Sequence, residues 1–232
     1  MSKLLIKFPT RNRPDKFKKV LNRYIEFLSG NHDVRFVISM DEDDKTMNTK
    51  DIKTFLKRLR KKGTDLVYHY GNSKTKVEAC NANLEGESAD VLMLVSDDMN
   101  PQTRNYDDII FDAFSRTFPD FNGGIKFNDG LRNDILMTLP IIGWKVYEDW
   151  GYIYNPEYTS LYCDTEQTIA LQIMNKLAVS DVCIAKHEWT SEPFDELHAR
   201  NENPQMYQKD GSVFERRRSR NFDVKEPIGN TQ

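Results

Sequence analysis

Residues 90–101, DVLMLVSDDMNP, decide the architecture. Val91, Leu92, Met93, Leu94 and Val95 run without a polar interruption and stop at Ser96, Asp97 and Asp98. Such a run, bounded by turn residues, predicts a strand buried on both faces that delivers two carboxylates to its C-terminal end. Open α/β sheets bind ligands at that end. Neighbouring acids repel when both are ionised, which favours a site holding a cation, and carboxylate oxygens suit a hard divalent ion such as Mg²⁺ or Mn²⁺. The same residues before Pro101 also make a good Asx turn, so this stretch alone leaves turn and metal site open.

Upstream the pattern repeats. LLIKF (4–8) predicts a short strand ended by PTRNRP (9–14), which cannot continue a ladder. Phe17, Val20, Leu21, Tyr24, Ile25 and Leu28 then share one helical face, with Gly30 where a left-handed cap is expected. VRFVISM (34–40) predicts a second strand opening into Asp41, Glu42, Asp43 and Asp44, the last two expected to cap the next helix. Ile52, Phe55, Leu56 and Leu59 mark that helix, DLVYHY (65–70) a third strand, and Val77, Cys80 and Leu84 a helix reaching Gly86. Four strand–helix alternations with crossover-length connections predict a three-layer α/β fold with a mostly parallel central sheet.

Beyond Pro101 the periodicity loosens. A helical face recurs at Tyr106, Ile109, Ile110, Ala113 and Phe114, and a short strand is expected at 123–127. Residues 135–154 have no clean period; their Trp144, Trp150, Tyr152 and Tyr154 suit either stacking on a sugar or base or an aromatic core. DTEQ (164–167) has capping-box spacing and predicts a helix start with Asp164 as the cap. A last strand is expected at 179–185, and after it only a short helix around 213–218.

At 232 residues with 38% hydrophobic and 11% aromatic content, the chain can fill one core and is not disordered. The net charge of −3 says little about partners, but Arg216, Arg217, Arg218 and Arg220 concentrate positive charge locally. Three widely spaced cysteines disfavour a disulfide framework and a zinc site, and are expected as buried thiols. The opening MSKLLIK is too short an apolar run for a signal peptide and no segment suits a bilayer, so the expected location is the cytoplasm.

Four stretches in order resemble the GT-A glycosyltransferases, especially those of the family 2 type. FPTRNRP (8–14) resembles the opening P-T-x-N-R, SMDEDD (39–44) the acidic end of the second strand, LVSDD (94–98) the D-x-D metal motif, and CDTE (163–166) the E-D-x-D that supplies the base. Ser96 stands in place of the first D-x-D acid and Cys163 in place of the Glu of the E-D pair. The likeness covers residues 3–190 and implies one GT-A-like catalytic domain over 1–190. Residues 1–100 would be its nucleotide-binding half and 101–190 its acceptor half, with a basic extension at 191–232 packing on or closing the site.

The resemblance implies a metal-dependent, inverting transfer of a sugar from a nucleotide-diphosphate sugar, a UDP-sugar favoured, to a hydroxyl acceptor. Mn²⁺ or Mg²⁺ would be held by Asp97 and Asp98, with His187 as third ligand and His198 the weaker candidate. Thr10, Arg11 and Arg13 would bind the nucleotide and its phosphates, with Asp41 accepting from a pyrimidine N3–H. By their charge alone, Arg216 and Arg218 suit closing over the diphosphate, meeting an anionic acceptor such as nucleic acid, including modified DNA of a phage-type system, or forming a solvated basic face. Asp164 is the implied catalytic base. Two alternatives stay open: a nucleotidyltransferase on a similar sheet, disfavoured by the lack of glycine in 9–14, and a non-catalytic nucleic-acid- or glycan-binding module.

Overall fold

The apolar runs become the centre of a seven-stranded sheet of order β3-β2-β1-β4-β7-β6-β8. A computed structural model describes residues 1–189 and 195–224. Lys3–Pro9 (β1), Asp33–Asp41 (β2), Leu66–Gly71 (β3) and Val91–Leu94 (β4) are mutually parallel, as the alternation predicted. Ile141–Gly143 (β7) runs antiparallel to β4 and to Gly124–Phe127 (β6), and β6 is parallel to Leu177–Ser180 (β8).

The twofold alternation of β1 divides the core. Leu4, Ile6 and Phe8 pack with Phe36, Ile38, Val91 and Met93 beneath the helices Pro14–Glu26 (α1), Lys50–Lys61 (α2) and Tyr106–Thr117 (α4). Leu5, Val37, Leu92 and Leu94 face the other way, toward Lys76–Asn81 (α3), Trp144–Trp150 (α5) and Cys163–Ile173 (α6). Three layers result because every central strand is apolar on both faces. At Gly143 an added Cβ would stand 1.8 Å from the Phe121 carbonyl oxygen, so only glycine lets the loop before β6 lie against the end of β7.

Several boundaries differ from expectation, each for a local reason. Thr49, not Asp43 or Asp44, caps α2, accepting from Ile52 N at 3.2 Å. Asp44 instead is buried and holds a turn, accepting from the backbone of Asn12, Thr46 and Met47. Tyr162, at φ 61°, precedes α6, so Asp164 lies inside the first helical turn rather than at the cap. α1 ends at Glu26, with Gly30 (φ +81°) in the following turn, and α3 ends at Asn81 with Leu84 buried beyond it. The expected last strand divides into β8 and Ala185–His187 (β9), which pairs antiparallel with Met99–Pro101 (β5).

The C-terminal segment contains more structure than its composition suggested: Glu196–Asn201 (α7) and the 15-residue Pro204–Arg218 (α8). α8 is fastened from its interior. Fully buried Asp210 accepts from the backbone N–H groups of Thr159, Ser160 and Leu161 at 3.0, 2.7 and 2.8 Å. Arg217 lies on Glu166 and Glu157. These contacts fix the entrance to α6. Cys80 and Cys163 are buried thiols, as expected, and Cys183 is half-buried. Among the described residues no helix is long and apolar enough to cross a membrane.

One buried charge breaks the apolar pattern. Lys7, in the middle of β1, is fully buried and its Nζ donates to Ser39 Oγ, which in turn bonds Asn83 Oδ1 at 2.7 Å. Burial pushes the amine from 10.5 down to about 8, opposed by Cys80 and Glu85. Below pH 8 folded and unfolded chains both carry the charge and the folded state bears its full burial cost. Between 8 and 10.5 the folded chain binds fewer protons than the unfolded one, so stability rises with pH across that window. Lys7→Met is therefore expected to stabilise the protein at pH 7 by about 2 kcal/mol, the burial cost less one hydrogen bond. Urea unfolding at pH 7 and pH 10 checks it: a gain that does not shrink at the higher pH would contradict the burial argument.

Candidate active site

A single cleft opens at the C-terminal ends of β1, β2 and β4, and most of the residues singled out from the sequence line it: Thr10, Arg11, Arg13, Asp41, Asp97, Asp98, Asp164 and His187. Parallel strands end there together, and the turns after them carry the polar residues.

At the rim of β1, the loop after Pro9 turns inward. Thr10 Oγ1 donates to Asp97 Oδ2 at 2.9 Å. Arg11 forks across Asp41 (2.7 Å) and Asp43 (2.6 Å), while Asp41 also accepts from Ser73 N at 3.2 Å. Arg13 places Nη1 between the two acids of the organising stretch, 2.7 Å from Asp97 and 3.3 Å from Asp98. Its Nε and Nη2 grip Asp195 at 2.6 and 2.9 Å.

The pairing of β5 with β9 brings His187 to the same place. His187 lies opposite Met99, and Glu188 N donates to Asp98 O at 2.8 Å. Burial pushes the Asp97 carboxyl up to about 6, against the pull of Arg13 and with Asp98 adding to it. On Asp98 burial acts in the same direction, but His187, the Ser96 hydroxyl and Arg13 outweigh it and hold that carboxyl below the usual value. Burial lowers the His187 imidazole, with Asp98 opposing, which favours the neutral form that ligates metals.

These residues fit a divalent cation. Two carboxylates already converge on one cationic nitrogen, and His187 Nδ1 is buried with no hydrogen-bond partner among the described residues. Oxygen and imidazole donors suit Mn²⁺ or Mg²⁺. Among the described residues no three His, Cys, Asp or Glu side chains close on a point tightly enough to hold a metal by themselves.

The far wall belongs to α6, α3 and α7. Asp164 faces the cleft from the first turn of α6, its Oδ1 accepting from Thr165 N at 2.8 Å. Lys76, at the start of α3, lines the cleft. Burial works against its charge, but Cys163 and Asp164 outweigh this and raise its pKa. α7 lines the cleft through Leu197, His198, Arg200 and Asn201: Asp195 caps it and holds Arg13, Arg200 reaches Lys74 O at 3.0 Å, and Glu202 meets Trp189 Nε1 and His198 Nε2.

Sequence reasoning missed Lys76, Asp195, Arg200 and Trp189. It also assigned closure to Arg216 and Arg218, which the structure places elsewhere: Arg216 on Glu157 and Arg218 beside Glu215, at the end of α8, neither lining the cleft. Buried Arg217 sets that orientation by turning inward and leaving its two neighbours exposed. His198 lies in the cleft wall on Glu202, while His187 is the histidine that acts on Asp98.

No protein-family model and no curated relative matches the chain. Solved structures do. The mannosyltransferase PcManGT from Pyrobaculum calidifontis, in complex with GDP-Man and Mn²⁺, superposes with a TM-score of 0.67 at 13% identity over 97% of this chain and 66% of that one. S. aureus TarS 1-349 with UDP-GlcNAc gives 0.63 at 15% identity, over 89% of this chain and 64% of that one. Glucosyl-3-phosphoglycerate synthase from Mycobacterium tuberculosis, with Mn²⁺, UDP and phosphoglyceric acid, gives 0.58 at 12% identity, over 97% and 80%. The chain thus spans about two thirds of the first two structures, and it has the GT-A fold of these transferases.

Proposed function

We propose that the chain is a metal-dependent, inverting glycosyltransferase that moves a sugar from a nucleotide-diphosphate sugar to an acceptor hydroxyl. The observation that carries this is the convergence of Asp97 and Asp98 on one cationic nitrogen in the cleft that Asp164 also lines. The shared fold supports it, since structures of that fold hold GDP-Man with Mn²⁺ and UDP-GlcNAc.

Asp41, oriented by Arg11 and Ser73 N, accepts from the N3–H of a uracil, which favours a UDP-sugar donor. Arg11 and Arg13 supply forked donors to the phosphates. Asp164 takes the proton of the acceptor hydroxyl as its oxygen attacks the anomeric carbon opposite the diphosphate. The new C–O bond forms as the sugar–phosphate bond breaks, and configuration inverts. A divalent ion held by Asp97, Asp98 and His187 would neutralise charge on the departing diphosphate.

Calorimetry with UDP, GDP and dTDP, with and without Mn²⁺, tests the donor site. UDP is expected to bind with heat that depends on the metal. Metal-independent heat, or none with any nucleotide, would leave a non-catalytic binding module in its place. Donor consumption against a panel of saccharide and nucleic-acid acceptors, modified DNA included, then identifies the hydroxyl.

A further inference from the structure

Among the described residues, Arg13 divides its guanidinium between two sets of carboxylates. One edge, Nε and Nη2, is held bidentately by Asp195, and the remaining nitrogen, Nη1, bridges Asp97 and Asp98. Asp195 is itself fixed, because it caps α7 by accepting from His198 N at 2.8 Å. The guanidinium is nearly sealed, with 9% of its side chain exposed. A cation held between the same two carboxylates and Nη1 cannot share that place, and a divalent ion carries twice the charge.

We propose that Arg13 is the resident counter-ion of the Asp97–Asp98 pair, that a divalent cation displaces its Nη1, and that Asp195 keeps the other edge so that Nη1 turns to the donor diphosphate. Asp195 is then a positioning residue, and α7, which carries it, is coupled to the loading of the site. The displacement exchanges one cation for another on the carboxylates and moves no proton or electron. It rests on the metal-dependent reading given above.

Mn²⁺ uptake followed by the loss of the free-ion EPR signal, without nucleotide, tests the competition in the wild type, Arg13→Gln and Asp195→Asn. Arg13→Gln removes the competitor, so its Mn²⁺ affinity is expected to rise about fivefold or more. With Mn²⁺ saturating, the same variant is expected to bind UDP about tenfold more weakly, since a charge-assisted contact to phosphate is gone. These opposite shifts are not what loss of a merely structural contact produces. Asp195→Asn removes the charged two-oxygen hold on Nε and Nη2, so Mn²⁺ and UDP binding should weaken together. If Arg13→Gln unfolds, as judged by its melting curve, Arg13→Lys serves instead. It keeps the charge without the fork, and its Mn²⁺ affinity should lie between those of the wild type and an unopposed site, UDP binding again weaker. Equal Mn²⁺ affinity in the wild type and the Arg13 variant would overturn the competition while leaving the transferase reading standing. No Mn²⁺ uptake by any of them, with or without UDP, would overturn both.

Discussion

Asp98→Asn is expected to lower kcat/KM for sugar transfer about a thousandfold, because Lewis-acid stabilisation of a leaving group contributes several kcal/mol and each 1.4 kcal/mol or so is a factor of ten. Of the two acids, Asp98 is the one that opens to the cleft, with 17% of its side chain exposed against 3% for Asp97. It is also the one whose carboxyl His187 acts on most strongly after burial. The amide keeps the size of the carboxylate and a group for Ser96 to meet, so melting temperature should move by only a few degrees. The metal-dependent heat of UDP binding should disappear with the activity. Transfer at wild-type efficiency at ordinary Mn²⁺ concentration would exclude Asp98 from the metal site, and the mechanism would then have to rest on Asp97 and His187.

The nucleotide half of the fold is readable because its central strands β1, β2 and β4 are buried on both faces and its helices amphipathic. β1, β2 and β4 each carry an apolar run ending in polar turn residues, and that is where Thr10, Arg13, Asp41 and Asp97 stand. Beyond residue 101 the sheet is built differently. β7 has three residues, too few for any period, and the loop before β6 can lie against it only because Gly143 has no side chain. β9 is equally short and gains its place by pairing with β5, so the partnership of His187 with Asp98 is a tertiary fact with no local signal. Asp164 was found through family likeness, although its capping-box spacing misled: Tyr162, in a left-handed conformation, turns the chain two residues earlier. The polar C-terminal segment shows no apolar stripe. Its helices are held by Asp210, Arg217 and Asp195, charged side chains bonded to distant residues that no periodicity reveals. Lys7 was the one missed residue with a visible sign, a lysine inside an otherwise apolar run.

Asp164→Asn should separate chemistry from binding. The residue lines the cleft from the first turn of α6, and its Oδ1 accepts from Thr165 N and, at 3.4 Å, from Thr165 Oγ1. An asparagine oxygen can keep those local bonds, and the entrance to α6 stays anchored by Asp210 and by Arg217 on Glu166. What the amide cannot do is accept the hydroxyl proton. Loss of a positioned general base costs about 10²- to 10⁴-fold in turnover, so kcat should fall by that amount while Mn²⁺-dependent UDP affinity and melting temperature stay near the wild type. This pattern is the reverse of Asp98→Asn, where donor binding and turnover fail together. If Asp164→Asn transfers sugar at a near-normal rate, the proton goes elsewhere. The other carboxylate that lines this wall is Glu202 of the segment after α7, and Glu202→Gln would be the next variant to measure.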